Sequence, residues 1–119
     1  MQIIKPTTYN INTILVSNTL PENDFAAWNA ATSYTVGTKV IRTTTHRIYQ
    51  NLIAGIDAGL PENTPSRWQD IAPTNAYAMF DSLSSTQSIG TTSFTAVLDP
   101  DSRLDSLTFT NLKGTQLTV

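Results

Sequence analysis

Cysteine is absent from the 119 residues, which excludes disulfides and thiolate metal sites. There is a single histidine, His46, with no carboxylate or cysteine at ligand spacing. It reads as a solvent-exposed residue of a hairpin turn, and no zinc constellation exists. Charge is scarce at 13%, and seven bases against nine acids give a formal net charge of −2. Lys39, Arg42, Arg47 and Arg67 form no basic run, so nothing favours nucleic acid or an anionic membrane as partner. Arg47 and Arg67 are expected to pair with carboxylates or lie over neighbouring rings. No apolar run approaches membrane-spanning length. The opening Met1-Gln-Ile-Ile-Lys5-Pro6 is too short, and too soon interrupted, for a secretory signal.

Catalytic signatures are missing as well. The chain holds no Gly-x-Ser-x-Gly elbow, no Ser-x-x-Lys and no phosphate-binding glycine loop, so no enzyme activity and no cofactor are expected. Asp99, Asp101 and Asp105 lie close together, but without the glycine and closing glutamate of a calcium loop. Asp99-Pro100-Asp101 is read as a β-turn, not as a metal site.

What is present is concentrated between Trp28 and Trp68, a stretch containing both tryptophans and two of the four tyrosines. Thr38–Thr43 and Arg47–Ile53 are rich in β-branched and aromatic residues and flank the polar Thr44-Thr45-His46, which predicts an antiparallel hairpin. Gly37 precedes it where a turn with positive φ suits a residue without Cβ. The stretch closes on Ser66–Ile71, and the module as a whole is expected to be three-stranded. So small a module has few aliphatic residues, so large rings must supply its core.

Before this module, residues 1–23 read as an extended arm with a short strand near Thr13–Val16, ended by Pro21-Glu22-Asn23-Asp24. Asp24 is expected to cap one helical turn through Phe25–Trp28. The module occupies residues 24–72, with a long turn-rich loop from Ile53 to Pro65. Residues 73–119 then alternate with period two: Thr92–Leu98, Ser106–Thr110 and Thr115–Val119 are expected strands, with Tyr77 and Phe80 in their core. Three or four strands cover neither both edges nor the second face of a sheet. Either another chain completes this half, or the sequence is the N-terminal part of a longer protein; the second is the favoured expectation. The fold class expected is all-β: an N-terminal arm, a small aromatic-rich three-stranded module and the first strands of an antiparallel β-sandwich.

Two resemblances add to this reading. Trp28, then Tyr34-x-x-Gly37-x-x-Val40, Tyr49 and the closing Trp68 resemble the small chitin-binding carbohydrate-binding modules of families 5 and 12. That resemblance implies a sugar platform built from Trp28, Tyr34, Tyr49 and Trp68. The run Ala72-Pro73-Thr74-Asn75-Ala76-Tyr77-Ala78-Met79-Phe80-Asp81, followed by Ser85-Thr86-Gln87-Ser88, is similar to a motif of bacteriophage tail proteins. Ile4-Lys5-Pro6 and Pro21-Glu22-Asn23-Asp24-Phe25-x-x-Trp28 are similar to the same proteins. This second resemblance implies a virion structural component of the tail tip or baseplate, made in the host cytoplasm without a signal peptide. Its implied partners are other tail proteins, further copies of itself in a symmetric homo-oligomer, and a host-surface glycan.

Overall fold

Asn10 starts the first regular element: its side chain accepts the Asn12 N–H at 3.0 Å and caps a single helical turn, α1 (Ile11–Ile14). The structure, a computed structural model, describes residues 10–81, 83 and 85–119. Strand β1 (Leu15–Asn18) follows α1 directly; β2 is Ser33–Tyr34, β3 Lys39–Arg42, β4 Arg47–Asn51, β5 Gly55–Ile56, β6 Trp68–Pro73 and β7 Ala96–Leu98. The described residues are thus mostly β, with seven short antiparallel strands in small sheets and no closed sandwich or barrel among them. The chain divides into two units, Leu20–Thr91 and a second made of residues 1–19 with Thr92–Val119.

The Leu20–Thr91 unit is built on a three-stranded sheet in the order β3-β4-β6. Its hairpin pairs Val40 with Tyr49 and Ile41 with Ile48, closing at Arg42 opposite Arg47. A four-residue loop joins the strands, with the Thr45 N–H on Arg42 O at 3.3 Å and His46 in the left-handed region at φ 56°. Histidine is among the few side chains that occupy that region with any frequency. Cross-strand partners share a face. Val40, Tyr49, Asn51 and Trp68 therefore lie on one side, and Ile41 and Ile48 on the other. All six are buried, so this small sheet is covered on both faces. Between β4 and β6 the register shifts after Ile48, leaving Ile71 without an opposite residue.

Local chemistry explains the joints of this unit. Thr35–Thr38 is a tight turn closed by the Thr38 N–H on Thr35 O at 3.2 Å, with Gly37 at φ 87°. Positive φ at the third turn position is what calls for glycine there. The buried Asn51 side chain donates to Thr35 O at 3.0 Å, and its own backbone exchanges bonds with Gly37 and Thr38, both at 2.8 Å. Gln-for-Asn would be too long for that span; the side chain acts as an internal brace. In the loop before β6, Asp57 takes the Gly59 N–H at 2.9 Å, and Pro61 opens a short 3-10 turn, Pro61–Asn63.

Several local expectations are corrected. Asp24 does not cap a helical turn: its Oδ1 accepts the Asn75 N–H at 3.0 Å, and Ala26–Trp28 runs parallel to β3 through bonds with Ile41. A backbone that can extend the sheet gains two good hydrogen bonds that an isolated turn would forgo. Tyr77 and Phe80 belong to the Leu20–Thr91 unit, on a turn and a 3-10 segment, Ala78–Phe80, rather than in a second sheet.

The second unit carries the others, among them that the strand expected over Thr92–Leu98 is confined to β7, Ala96–Leu98. The expected strand at Thr13–Val16 lies two residues later, because the Asn10 cap holds Ile11–Ile14 helical. β1 pairs antiparallel with β7, Leu15 opposite Leu98 and Asn18 opposite Ala96, and the Asp99 N–H reaches Ile14 O at 2.8 Å. Asp99–Asp101 does turn, with the Asp101 N–H on Asp99 Oδ1 at 3.1 Å and Asp101 at φ 53°. Ser106–Thr110 and Thr115–Val119 are not strands, and every residue from Asp101 to Val119 is exposed. Alternation alone does not make a strand: the backbone needs a paired neighbour, and none is at hand in these residues.

Candidate functional site

The rings nominated for sugar stacking meet on one side of the three-stranded sheet. Tyr34, Val40, Tyr49 and Trp68 form one buried cluster, with Trp28 packed against its margin and only partly buried. Trp68 is 1% exposed and Tyr49 4%. The Tyr34 and Trp68 rings meet edge to face, with centroids 5.1 Å apart at 79°, a favoured aromatic geometry. Their polar ends are used internally. The Trp68 indole donates to Asp57 Oδ2 at 3.2 Å, and the Tyr34 hydroxyl accepts the Asn29 N–H at 2.7 Å. Tyr49 lies 3.3 Å from the Thr45 hydroxyl. Burial pushes the Tyr49 phenol above its ordinary value, with Asp70 and Glu62 adding to the rise against the Thr45 bond and Arg47.

Trp28 is the member of the four that reaches the surface, and a cation covers it. The Arg42 guanidinium lies 5.2 Å from the Trp28 ring centre. Glu62 holds that guanidinium in a two-pronged pair, Nε to Oε2 at 3.2 Å and Nη2 to Oε1 at 2.9 Å. Burial alone would raise the Glu62 carboxyl, but the Arg42 bonds, a backbone bond and the Arg42 charge outweigh it and bring it below its ordinary range. Arg47 and Arg67 pair with carboxylates as expected: Asp70 at 2.7 Å and Asp57 at 3.5 Å. The exposed row of coplanar rings that sugar stacking requires is not assembled from these four residues.

A second cluster lies at the hairpin turn, and it draws on three separated stretches. His46 Nδ1 sits 3.0 and 3.2 Å from the two carboxylate oxygens of Glu22. Thr74, wholly buried, donates its hydroxyl to Glu22 Oε1 at 2.8 Å and its N–H to His46 O at 3.0 Å. The Tyr77 ring stacks on the imidazole at 3.6 Å and 12°. Burial, with the Glu22 charge behind it, raises the Tyr77 phenol. His46 is thus an enclosed joint residue and not the solvent-exposed turn residue the sequence suggests.

The joint continues through Asn75. Its amide braces Ile89 in both directions, at 2.8 and 3.0 Å, while its carbonyl takes the Ser88 hydroxyl at 2.6 Å. Asp24, Asn75 and Ala78 help line an open pocket of about 230 Å³ beside it. Sequence reasoning passed over Glu22, Thr74 and Asn75. The available signal was the pair of proline-led turns, Pro21–Asp24 and Pro73–Asn75, that bracket the module. Among the described residues, no three of His, Asp and Glu gather as a metal site would need.

No protein-family model matches the chain, and no curated protein and no solved structure matches it either.

Proposed function

We propose that this chain is a non-enzymatic structural component of a bacteriophage tail tip or baseplate, held in the virion by contacts with neighbouring tail subunits and copies of itself. The observation that carries the proposal is the joint around His46. Two of the stretches that resemble tail proteins, Pro21–Trp28 and Ala72–Asp81, lie far apart in sequence. They are bonded to one another through Glu22–Thr74 at 2.8 Å and Asp24–Asn75 at 3.0 Å. Segments that share one packed joint are constrained together, which is how a scaffold motif keeps its residues in register. The buried aromatic cluster supports the same reading, since rings used as core make the module a rigid spacer between attachment points.

The remaining finer expectation, that residues 73–119 begin a β-sandwich, belongs to the same proposal, with β7 as its first strand. Deleting residues 1–20 is expected to abolish incorporation into virions and to leave the Trp28–Trp68 module folded. Particles containing the normal amount of truncated chain would overturn the proposal.

A second reading, a module that recognises host or polymeric glycan, rests on Trp28 alone. It is the one ring of the four that is only partly buried, under the Arg42 guanidinium. Acrylamide quenching of tryptophan fluorescence tests it. Protection of Trp28 by host polysaccharide or chitin oligosaccharides would support glycan binding; two tryptophans indifferent to every glycan would sink it.

A further inference from the structure

We infer that the open pocket beside the joint receives a single basic side chain, the end of a lysine or arginine presented by a partner protein. Among the described residues that line its volume of about 230 Å³, Asp24 is the one that ionises. Its Oδ1 accepts the Asn75 N–H at 3.0 Å, while Oδ2 is shielded from solvent and has no hydrogen-bond partner. Other carboxylates of the same unit are matched to a basic group. Glu22 meets His46 at 3.0 Å, Glu62 meets Arg42 at 2.9 Å, Asp70 meets Arg47 at 2.7 Å and Asp57 meets Arg67 at 3.5 Å. Asp24 has no ion-pair partner among the described residues. A shielded carboxylate that is only half satisfied is costly, and an added positive charge repairs it.

The rest of the lining suits the stem and the tip of such a side chain. Pro73 and Ala78, both buried, and the exposed Ile89 offer apolar surface. Lysine and arginine lay their methylene stems along apolar surface and carry the charge at the tip. Ser85 and Thr86 supply hydroxyls; Thr86 Oγ1 donates to Leu83 O at 3.2 Å and so keeps lone pairs for an incoming N–H. No lysine, arginine or histidine is among the described lining residues to repel a cation. The site is also built before a ligand arrives. Asn75 braces Ile89 in both directions, and Ser88 Oγ donates to Asn75 O at 2.6 Å while accepting the Met79 N–H at 2.9 Å. In so shielded a setting a carboxylate attracts a charge seated nearby more strongly than it would in water. The cation therefore need not displace the lining to reach Oδ2. A single carboxylate calls for a single charge, which favours a side chain over a free polyamine.

The inference goes beyond the structural role proposed above, and its test uses no virions, so each fails separately. Titration of the isotope-labelled full chain with N-acetyl-lysine amide and N-acetyl-arginine amide, followed by amide chemical shifts, reads it directly. Saturable shifts are expected at Asn75, Ala78, Thr86 and Ile89. N-acetyl-norleucine amide, which has the stem without the charge, should bind at least about tenfold more weakly. Putrescine, with two charges, should bind no better than the capped residues. Asp24→Asn keeps an acceptor for the Asn75 N–H and removes the charge; it should weaken lysine binding at least about tenfold. Its urea midpoint shows whether it has folded, and if it has not, the comparison of lysine with norleucine on the parent chain decides alone. The absence of saturable shifts would overturn the inference. So would equal affinity for norleucine, tighter binding of putrescine, or an unaltered affinity in a folded Asp24→Asn chain.

Discussion

The Leu20–Thr91 unit and the unit formed by residues 1–19 and 92–119 use the same vocabulary, β-branched and aromatic residues spaced two apart with Thr and Ser between. They end differently. In the first, both faces of a three-stranded sheet are covered, with Trp68, Tyr49 and Val40 on one and Ile41 and Ile48 on the other. In the second, a single pair of short strands leaves Val16, Val97 and Phe94 exposed, as well as the apolar residues beyond them. The difference lies in what closes the backbone. β3 receives Ala26–Trp28 on its outer edge, and the Pro73–Asp81 stretch is pinned at Glu22 and Asp24. β7 has β1 and nothing further among the described residues. Alternation proposes a strand, and closure by a partner decides whether one forms.

The comparison can be broken most severely at Trp68. Its ring is the largest side chain in the buried cluster, edge-on to Tyr34, and its indole N–H satisfies Asp57. Trp68→Ala is expected to lose about 3–5 kcal/mol, a large share of the stability of a unit this size, so that denaturant unfolding shifts to much lower midpoint or disappears. Circular dichroism with urea checks it. A midpoint unchanged from the parent chain would mean the ring is not core. Trp68→Phe keeps most of the apolar burial but removes the indole donor from Asp57 Oδ2, leaving it the Arg67 ion pair at 3.5 Å, and should fall between the two.

How much of this was legible depends on the reach of each contact. The hairpin and the Gly37 turn are set by residues within a few positions of one another, and pattern reading anticipated both. That the rings at 34, 49 and 68 would be needed for folding also followed from the small size of the module. His46 was not legible: its place depends on Glu22, twenty-four residues earlier, and on Tyr77, neither of which any local pattern connects to it. The helical turn assigned to Phe25–Trp28 failed for a related reason. Asp24 looks like a cap until Asn75, fifty-one residues on, supplies a competing N–H. The strands assigned to Ser106–Thr110 and Thr115–Val119 were inferred from alternation, which reports what a segment is suited to and not whether a partner is in place.

A smaller disturbance tests the joint itself. Thr74→Val preserves shape and removes the hydroxyl that Glu22 accepts at 2.8 Å. The loss of one hydrogen bond to a partly buried carboxylate is expected to cost about 1–3 kcal/mol. Exchange of the Asn75 and Ile89 amides should accelerate with it, because Asn75 is the next residue in the chain of bonds. If the unfolding midpoint drops while those amides stay slow, the joint is not a single cooperative element. That result would draw the line between the two kinds of region elsewhere than at residues 20 and 91.

Smaller still is the effect at the surface of the aromatic cluster. The Arg42–Glu62 pair is mostly buried, 18% and 23% exposed by side chain, and Glu62 has a lowered folded value. A carboxyl lowered on folding contributes stability that is present above its unfolded pKa and is lost as pH falls through the folded one. The contribution should therefore be intact at neutral pH and fade on acidification below about pH 4.3, the ordinary glutamate value. Glu62→Gln is expected to cost about 1 kcal/mol at pH 7 and to flatten that part of the acid profile. Release of Arg42 from its carboxylate should also alter Trp28 emission. An acid profile identical in parent and variant would show the pair to be ornamental.

The smallest expected effect is the sharpest test of the difference between the regions. Phe109 is large and apolar, yet 46% exposed on a segment without strand structure. If the Leu20–Thr91 unit closes on its own resources, Phe109→Ser in dilute, monomeric protein should leave its urea midpoint unchanged within about 0.5 kcal/mol. The same kind of substitution at Tyr49, equally aromatic and two residues from the end of β4, should be ruinous. Composition is nearly matched in that pair, and only the presence of a covering partner differs. A Phe109→Ser chain that unfolded early while monomeric would mean that the segment is already covered within its own chain. The contrast between a closed region and an open one would then collapse, whatever the pattern of alternation.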